Sequence, residues 1–271
     1  MQLAPEALLS PSTTIPHFPE VSAASMSAFI AVVVAVVLAG IGAWRAAHED
    51  GRGATLRASL LALAWVGLWS ALALGDVWRQ PSPDGFPPRI VAFFAGLNLS
   101  AIAFSMSPWG RRLALRTSFA ALVAFQAFRL PLELVLHSWG EQGAIPMAMT
   151  WEGRNLDVIT GVLALGLGLW SLRAPLSRSA LWLFHLIGFA LLINVAVTAL
   201  TSTPGPFYDS TRLPGLVVGF DFPTTLIAPV CVAGALAGHL IAFRALIAAH
   251  RGQRPWPGAA EGESSAVRAT A

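Results

Sequence analysis

Seven separate apolar stretches punctuate this chain, each long enough, or nearly so, to cross a hydrocarbon layer of roughly 30 Å at 1.5 Å per helical residue. Between them lie short polar connections, and only 11% of the 271 residues are Asp, Glu, Lys or Arg, where soluble domains carry about 25%. A water-soluble globule is excluded. The sequence predicts an all-α polytopic membrane protein, a bundle of seven transmembrane helices near 22–44, 55–76, 89–107, 113–138, 156–172, 179–200 and 223–246. Residues 1–21 read as a flexible extracytoplasmic segment, 22–248 as the transmembrane domain and 249–271 as a disordered cytoplasmic tail rich in Gly, Pro, Ser and Ala.

Charge sets the expected orientation. With seven spans, the connections on the N-terminal side hold Arg79, Arg89, Arg154 and Arg212, whereas the other side with the C-terminus holds twelve arginines from Arg45 to Arg268. The positive-inside rule then puts the N-terminus outside and the C-terminus in the cytoplasm. Asp76, Asp84, Asp157, Asp209 and Asp221 fall on the outer face. The stretch MQLAPEALLSPSTTIPHFPE has no Arg, hence no positive n-region of a signal peptide. The first run therefore reads as an uncleaved helix, with Met26 at its start as an alternative initiator to Met1. The expected location is a bacterial inner membrane, with the lipid bilayer as the first partner. Protein partners are not specified by the sequence.

Composition removes several function classes. All seventeen basic residues are Arg, so a lysine Schiff base is unavailable to the chain and a retinal protein is excluded despite the seven helices. The single cysteine, Cys231, lies in an apolar run and supports neither a disulfide framework nor a thiolate metal cluster. The arginines sit at membrane boundaries rather than on one basic element, so no nucleic-acid partner is expected. There is no nucleophile elbow, zinc-protease helix, phosphate loop or EF-hand signature. No cofactor is required by the sequence, and an enzyme is the less supported class.

The informative region is the fourth run, QAFRLPLELVLH. At 100° per residue, Gln126, Arg129, Glu133 and His137 fall within an arc of roughly 80° on one face. Measured from Arg116 at the inner boundary, Arg129 lies about 20 Å up the helix. A charge at that depth costs about 2.5–3.5 kcal/mol on insertion scales and must face the bundle interior with a partner, for which Glu133 is the nearest candidate. Pro131 between them frees the carbonyl of Ala127 and bends the helix. The fifth run, Val158 to Leu172, spans only about 22 Å, which draws Arg154, Asn155 and Asp157 toward membrane depth. Asn155 suits an N-cap and Asp157 the positive helix end. Together with Asp76, Asn194 and Asp221, these residues point to a polar chamber open to the outer face. The long outer connections 139–155 and 201–222 contain AIPMAMTW and LPGLVVGFDFP, too apolar for solvated linkers, and are expected to fold back as interfacial segments or lids.

The strings Q-x-F-R-x-x-x-E at 126–133 and M-T-x-x-G-R-N-x-D at 149–157, with His239 in a proline-containing last helix, resemble a group of bacterial seven-helix integral membrane proteins without an assigned activity. The likeness runs from about Pro87 to Arg244. It implies emphasis on Arg129, Glu133, Arg154, Asn155 and Asp157, and no particular chemistry.

His185 and His239 each lie about seven residues from the inner end of their helices, at similar depth, which makes them candidate haem or metal ligands; the more frequent role of such histidines is a hydrogen bond to a neighbour. Glu133 and His137 form an i, i+4 pair that would need further ligands to hold a metal. Gly234, Gly238 and Ala242 permit close helix contact in lipid, and Pro229 bends the last helix. The leading functional expectation is a small-molecule or proton-handling bundle, transporter-like or sensory, with a small molecule or ion at the outer face. The alternatives are a metal- or haem-dependent membrane enzyme acting on a lipid or quinone-like substrate, and a structural accessory subunit.

Overall fold

Apolar runs of this length become helices whose outer faces stay uncovered, because lipid would solvate them. The computed structural model describes residues 15–80 and 89–257, and among these every regular element is helical. They are α1 (Ala23–Ala46), α2 (Gly51–Leu74), α3 (Arg89–Met106), α4 (Pro108–Arg116), α5 (Phe119–Phe125), α6 (Arg129–Glu141), α7 (Val158–Trp170), α8 (Arg178–Ser202) and α9 (Ala233–His250). A 3-10 turn, Gln126–Phe128, joins α5 to α6, and a π-helical turn, Ile227–Val232, opens α9. Six helical segments are long and apolar enough to cross a membrane, with α5–α6 and 224–250 each acting as one span; α7, at 13 residues, is shorter. Leucines such as Leu63 (69% exposed) and Leu172 (82%) stand on the outside of the bundle, a pattern that water would penalise and a bilayer would not.

Local chemistry sets the helix ends. Ser22, Asp50, Ser107, Ser118 and Ser177 each accept a backbone N–H of the helix they precede, satisfying donors that a helix start leaves open. The expected single helix from 113 to 138 is corrected here: Ser107 and Pro108 start a separate nine-residue helix, α4, and the chain is extended at Thr117–Ser118 before α5 begins. Leu113 and Ala114 are buried while Arg111, Arg112 and Arg116 lie on the other faces. A short amphipathic segment with its own serine N-cap lies more favourably along the bundle end than through it.

The small residues of α9 place it at the centre, with α3, α4, α5 and α8 packed around it. Ala235, Gly238, Ala242, Ala245 and Ala249 are buried there. A Cβ on Gly238 would meet the side chains of Gln126 and Phe125, so this glycine lets the polar segment of α5–α6 approach. On the other side, Gly161 of α7 lies directly against the backbone of Leu130.

Both terminal segments make contacts with the bundle where they are described. Residues 15–21, predicted as flexible, strap across the bundle end: Ile15 and Arg79 exchange hydrogen bonds, Phe18 meets the Trp139 ring at 5.3 Å, and Asp221 accepts from the Phe18 amide at 2.7 Å. Residues 249–257, predicted as part of a disordered tail, finish α9 and then pack, with Trp256 stacked on Phe119 and Arg254 over the same ring. Aromatic and guanidinium contacts of this kind offset part of the ordering cost of such segments. Asp84, Met1 and residues 258–271 lie outside the described residues.

The close α6–α7 crossing yields a direct test. Gly161→Ala is expected to force the two helices apart at a cost of about 1–3 kcal/mol, as overpacking does, read as a lowered thermal midpoint in detergent. Gly166→Ala in the same helix faces open space and is expected to leave the midpoint unchanged or raised.

Candidate functional site

The strongest constraint on the interior is a guanidinium that cannot lose its charge. Arg129 begins α6, just after the 3-10 turn, and is 1% exposed. Its partner comes from another helix: Asp157 takes Arg129 Nε at 2.5 Å through Oδ2, and Oδ1 pairs with Nη2. Nη1 donates to the Gly188 carbonyl at 3.3 Å and to His239 Nε2 at 3.0 Å. Arginine only donates, so that imidazole nitrogen is the unprotonated one. His239 therefore carries its proton on Nδ1, which faces His185 Nδ1 at 3.1 Å. His185 must accept there and hold its own proton on Nε2. One buried chain, Asp157–Arg129–His239–His185, thus ties α6, α7, α8 and α9 together with both imidazoles neutral. Gly188 is required for it, since a Cβ would run into the His239 ring.

Asp157 reaches this position through a turn encoded by MTWEGRNLD. Gly153 packs on the backbone of Met147 and Ala148, while the amides of Gly153 and Asn155 return to the Thr150 carbonyl and that of Arg154 to Ala148. Asn155 Oδ1 then accepts the Asp157 amide at 3.1 Å, an Asx turn. Asn155 is not a helix cap, as its sequence position predicted: Asp157 stands at that place in α7 and makes no side-chain cap bond, because its carboxylate is turned to Arg129. The Asn155 amide nitrogen donates to both Glu133 oxygens, at 2.9 and 2.8 Å, and to the Met149 carbonyl at 3.1 Å. Glu133 is 2% exposed, and among the described residues no cation lies within 4.0 Å of it.

Arg129, Glu133, Asn155 and Asp157 are therefore brought together, while the remaining candidates stand elsewhere. Gln126 is buried beside them, donating to the Ala235 carbonyl at 3.2 Å. His137 leaves the group: its ring stacks on Trp151 at 4.0 Å and its Nε2 faces Glu141 and Glu152 at 3.7 and 3.8 Å. The Arg154 side chain is exposed, while its backbone carbonyl accepts from Asn194 at 2.6 Å. Asp221 belongs to a separate cluster, 2.6 Å from His17 and 3.6 Å from Arg79, which also pairs with Asp76 at 2.7 Å. His17, Asp76 and Asp221 have metal-ligating atoms close together, but the Arg79 guanidinium already supplies the cation there.

His185 and His239 lie side by side, as their equal depth implied, yet each uses Nδ1 for the other. Their 3.1 Å separation is a hydrogen bond and is shorter than the roughly 4 Å that two opposed metal–nitrogen bonds of about 2.0–2.1 Å require, so the haem reading does not fit this arrangement. Sequence reasoning did not connect the pair to Arg129.

Next to the charged group lies a cleft of about 80 Å³ between α3, α6, α8 and the π-helical turn, with Arg129, Glu133 and Asp157 in its wall. The rest is apolar, including Phe93, Leu97, Leu132, Leu192, Ile227 and Cys231. The polar chamber of the sequence reading is thus a charged patch in an apolar cleft. Pro229 and the wide turn around it shape this wall, and a π turn at such a place often marks a site. Met149 and the 216–220 segment of the long outer connections also line it. That segment is pinned by Leu216, whose amide donates to Ser202 at 2.7 Å, and by Arg212 on Asp209 at 3.1 Å. The hydroxyl and amide of Thr211 hold the Asp209 carboxyl below the usual carboxylate range.

An all-helical bundle with six membrane-length helices and a charged centre within them defines a multi-pass membrane protein with a buried polar site. Residues 87–247 match a family described as a domain of unknown function, DUF8737, and the chain belongs to that family. The match covers every residue of the charged group and both histidines. No curated protein and no solved structure matches.

Since Asp157 is the carboxylate within ion-pair distance of Arg129 among the described residues, Asp157→Ala is expected to cost about 3–5 kcal/mol, the usual effect of stranding a buried charge. The double variant Arg129→Leu, Asp157→Leu is expected to recover most of that loss. Thermal unfolding of the three proteins in mild detergent measures both.

Proposed function

We propose that the protein is a seven-span bundle of a bacterial inner membrane, N-terminus outside and C-terminus cytoplasmic, that binds a small molecule in the cleft at Arg129, Glu133, Asn155 and Asp157 and serves in transport or sensing. The short α7 supports a seventh span because the Asn155–Asp157 turn extends it into the bundle core, so a length of about 20 Å need not cross the layer alone. The arginine bias across the connections supports the orientation.

The single observation that carries the binding reading is Glu133. A buried carboxylate held by one amide, with no cation of its own, lies in the wall of a cleft. A group kept for packing alone would be replaced by an apolar side chain at no loss. Arg129 and Asp157, by contrast, satisfy each other, and their pairing across α6 and α7 also serves as an inter-helix clip.

Two measurements test this. Glu133→Gln is expected to leave the thermal midpoint unchanged or raised, in contrast to Asp157→Ala; a fall as large as that of Asp157→Ala would make Glu133 part of the clip and remove the case for a site. Native mass spectrometry of the protein released from its own membrane is expected to show a bound small molecule that Ala199→Phe, at the half-buried edge of the cleft, displaces.

A further inference from the structure

The cleft is not closed on its α3–α8 side. Phe94 and Asn98 of α3 and Ala196 and Ala199 of α8 line it and are only half-buried, as is Val232 on the helix between them. These helices face outward with uncovered apolar residues such as Leu99 and Val197, so the opening is toward the acyl chains of a bilayer rather than toward water. Whatever reaches Glu133 this way has to be soluble in hydrocarbon over most of its length, because the path beyond the opening is walled by Leu97, Leu132, Leu192 and Val195.

The inner end has the opposite character. The Arg129–Asp157 pair is neutral as a unit, and the hydrogen bonds of His239 and His185 leave both imidazoles uncharged. Glu133 is thus a second acidic group beside a guanidinium whose charge Asp157 already balances, and among the described residues it has no ion-pair partner of its own. Both its oxygens accept from the same nitrogen, at 2.9 and 2.8 Å, so each keeps a lone pair for a further donor. Asn155 is the one side-chain donor recorded on Glu133 among the described residues, and Arg129 has no free cation to offer an anion, since it spends its fork on Asp157, Gly188 and His239.

From this we infer that the cleft takes a lipophilic amine: a molecule with an extended hydrocarbon part lying between α3 and α8 and a protonated amino group donating to Glu133. The inference rests on the binding reading above and names its ligand class. An ammonium paired with the Glu133 carboxylate adds no net charge to the interior, and the amine's hydrocarbon part covers the walls that water would otherwise wet. A single inorganic cation is a poorer fit, because the Asp157 oxygens are taken by Arg129 and the Met149 carbonyl by Asn155, leaving too few oxygens for a shell.

The test uses the full chain in phosphatidylcholine nanodiscs and three probes with one hydrocarbon chain and different heads: dodecylamine, dodecanol and dodecanoate. Thermal unfolding is followed at equal probe content in the bilayer. In the wild type, dodecylamine is expected to stabilise at about tenfold lower concentration than dodecanol, the effect of a hydrogen bond to a charged group, and dodecanoate is expected not to stabilise. Glu133→Gln should remove the advantage of the amine over the alcohol, and Ala199→Phe, which leaves the charged centre intact, should abolish the response to both. Preferential stabilisation by dodecanoate, or an amine advantage that survives Glu133→Gln, overturns the ligand class while leaving a binding cleft. No response of the wild type to any probe, with no molecule retained from the native membrane, overturns the binding reading together with it.

Discussion

The rest of the structure is organised around the guanidinium of Arg129 in an apolar interior. It cannot deprotonate, so the fold must bring it a negative charge and enough acceptors to occupy its fork. Asp157 supplies the charge, Gly188 and His239 the remaining acceptors. Each comes from a different helix, and none can be displaced without leaving a donor unmatched in low dielectric. The requirement propagates outward: Gly188 must lack a side chain so that His239 can approach, and Gly238 must do so for Gln126. The tight turn through Gly153 and Asn155 is needed to turn Asp157 inward. His185 in turn completes the bond that fixes the tautomer of His239.

Glu133 stands outside that network. It is one turn from Arg129 on the same helix and nearly as buried, yet the fold gives it an amide rather than a cation. The cleft passes this carboxylate and is shaped by the π turn at Pro229, whose carbonyl is bound at 2.9 Å by Trp65 of α2. Irregular backbone at membrane depth is tolerated where it is buried in protein or lines a cavity, and here it does both. Structural need accounts for Arg129 and Asp157, whereas Glu133 stands at the cavity wall with no ion-pair partner among the described residues.

Much of this was legible from residue order. The apolar runs located most of the helices to within a few residues, though not the separate α4, and the helix stripe together with the turn ending at Asp157 named Arg129, Glu133, Asn155 and Asp157, which do meet. The partner assignment was not legible. Adjacency on one helix favoured Glu133 for Arg129, but a long side chain can choose between carboxylates on its own helix and on the next, and Asp157 offers two oxygens in the plane of the fork. The link to His239 was hidden by depth arithmetic begun at Arg116. The helix restarts at Phe119 after the extended Thr117–Ser118, which brings Arg129 to about 15 Å above that start and within reach of the histidine layer. His137 shared the stripe but lies where α6 emerges, and the Trp151 ring offers it a closer partner than the interior does.

What the sequence by itself determined is the class of molecule and the list of groups that had to be buried: lipid-facing helices follow from the number and length of apolar runs, and a charge within such a run must be paired inside the bundle. What only the tertiary structure decided is which groups pair, which carboxylate is left over and where the cavity lies. Those outcomes depend on distances between helices far apart in the chain, set by a handful of close approaches at Gly161, Gly188 and Gly238, and periodicity along one helix carries no information about the separation of two.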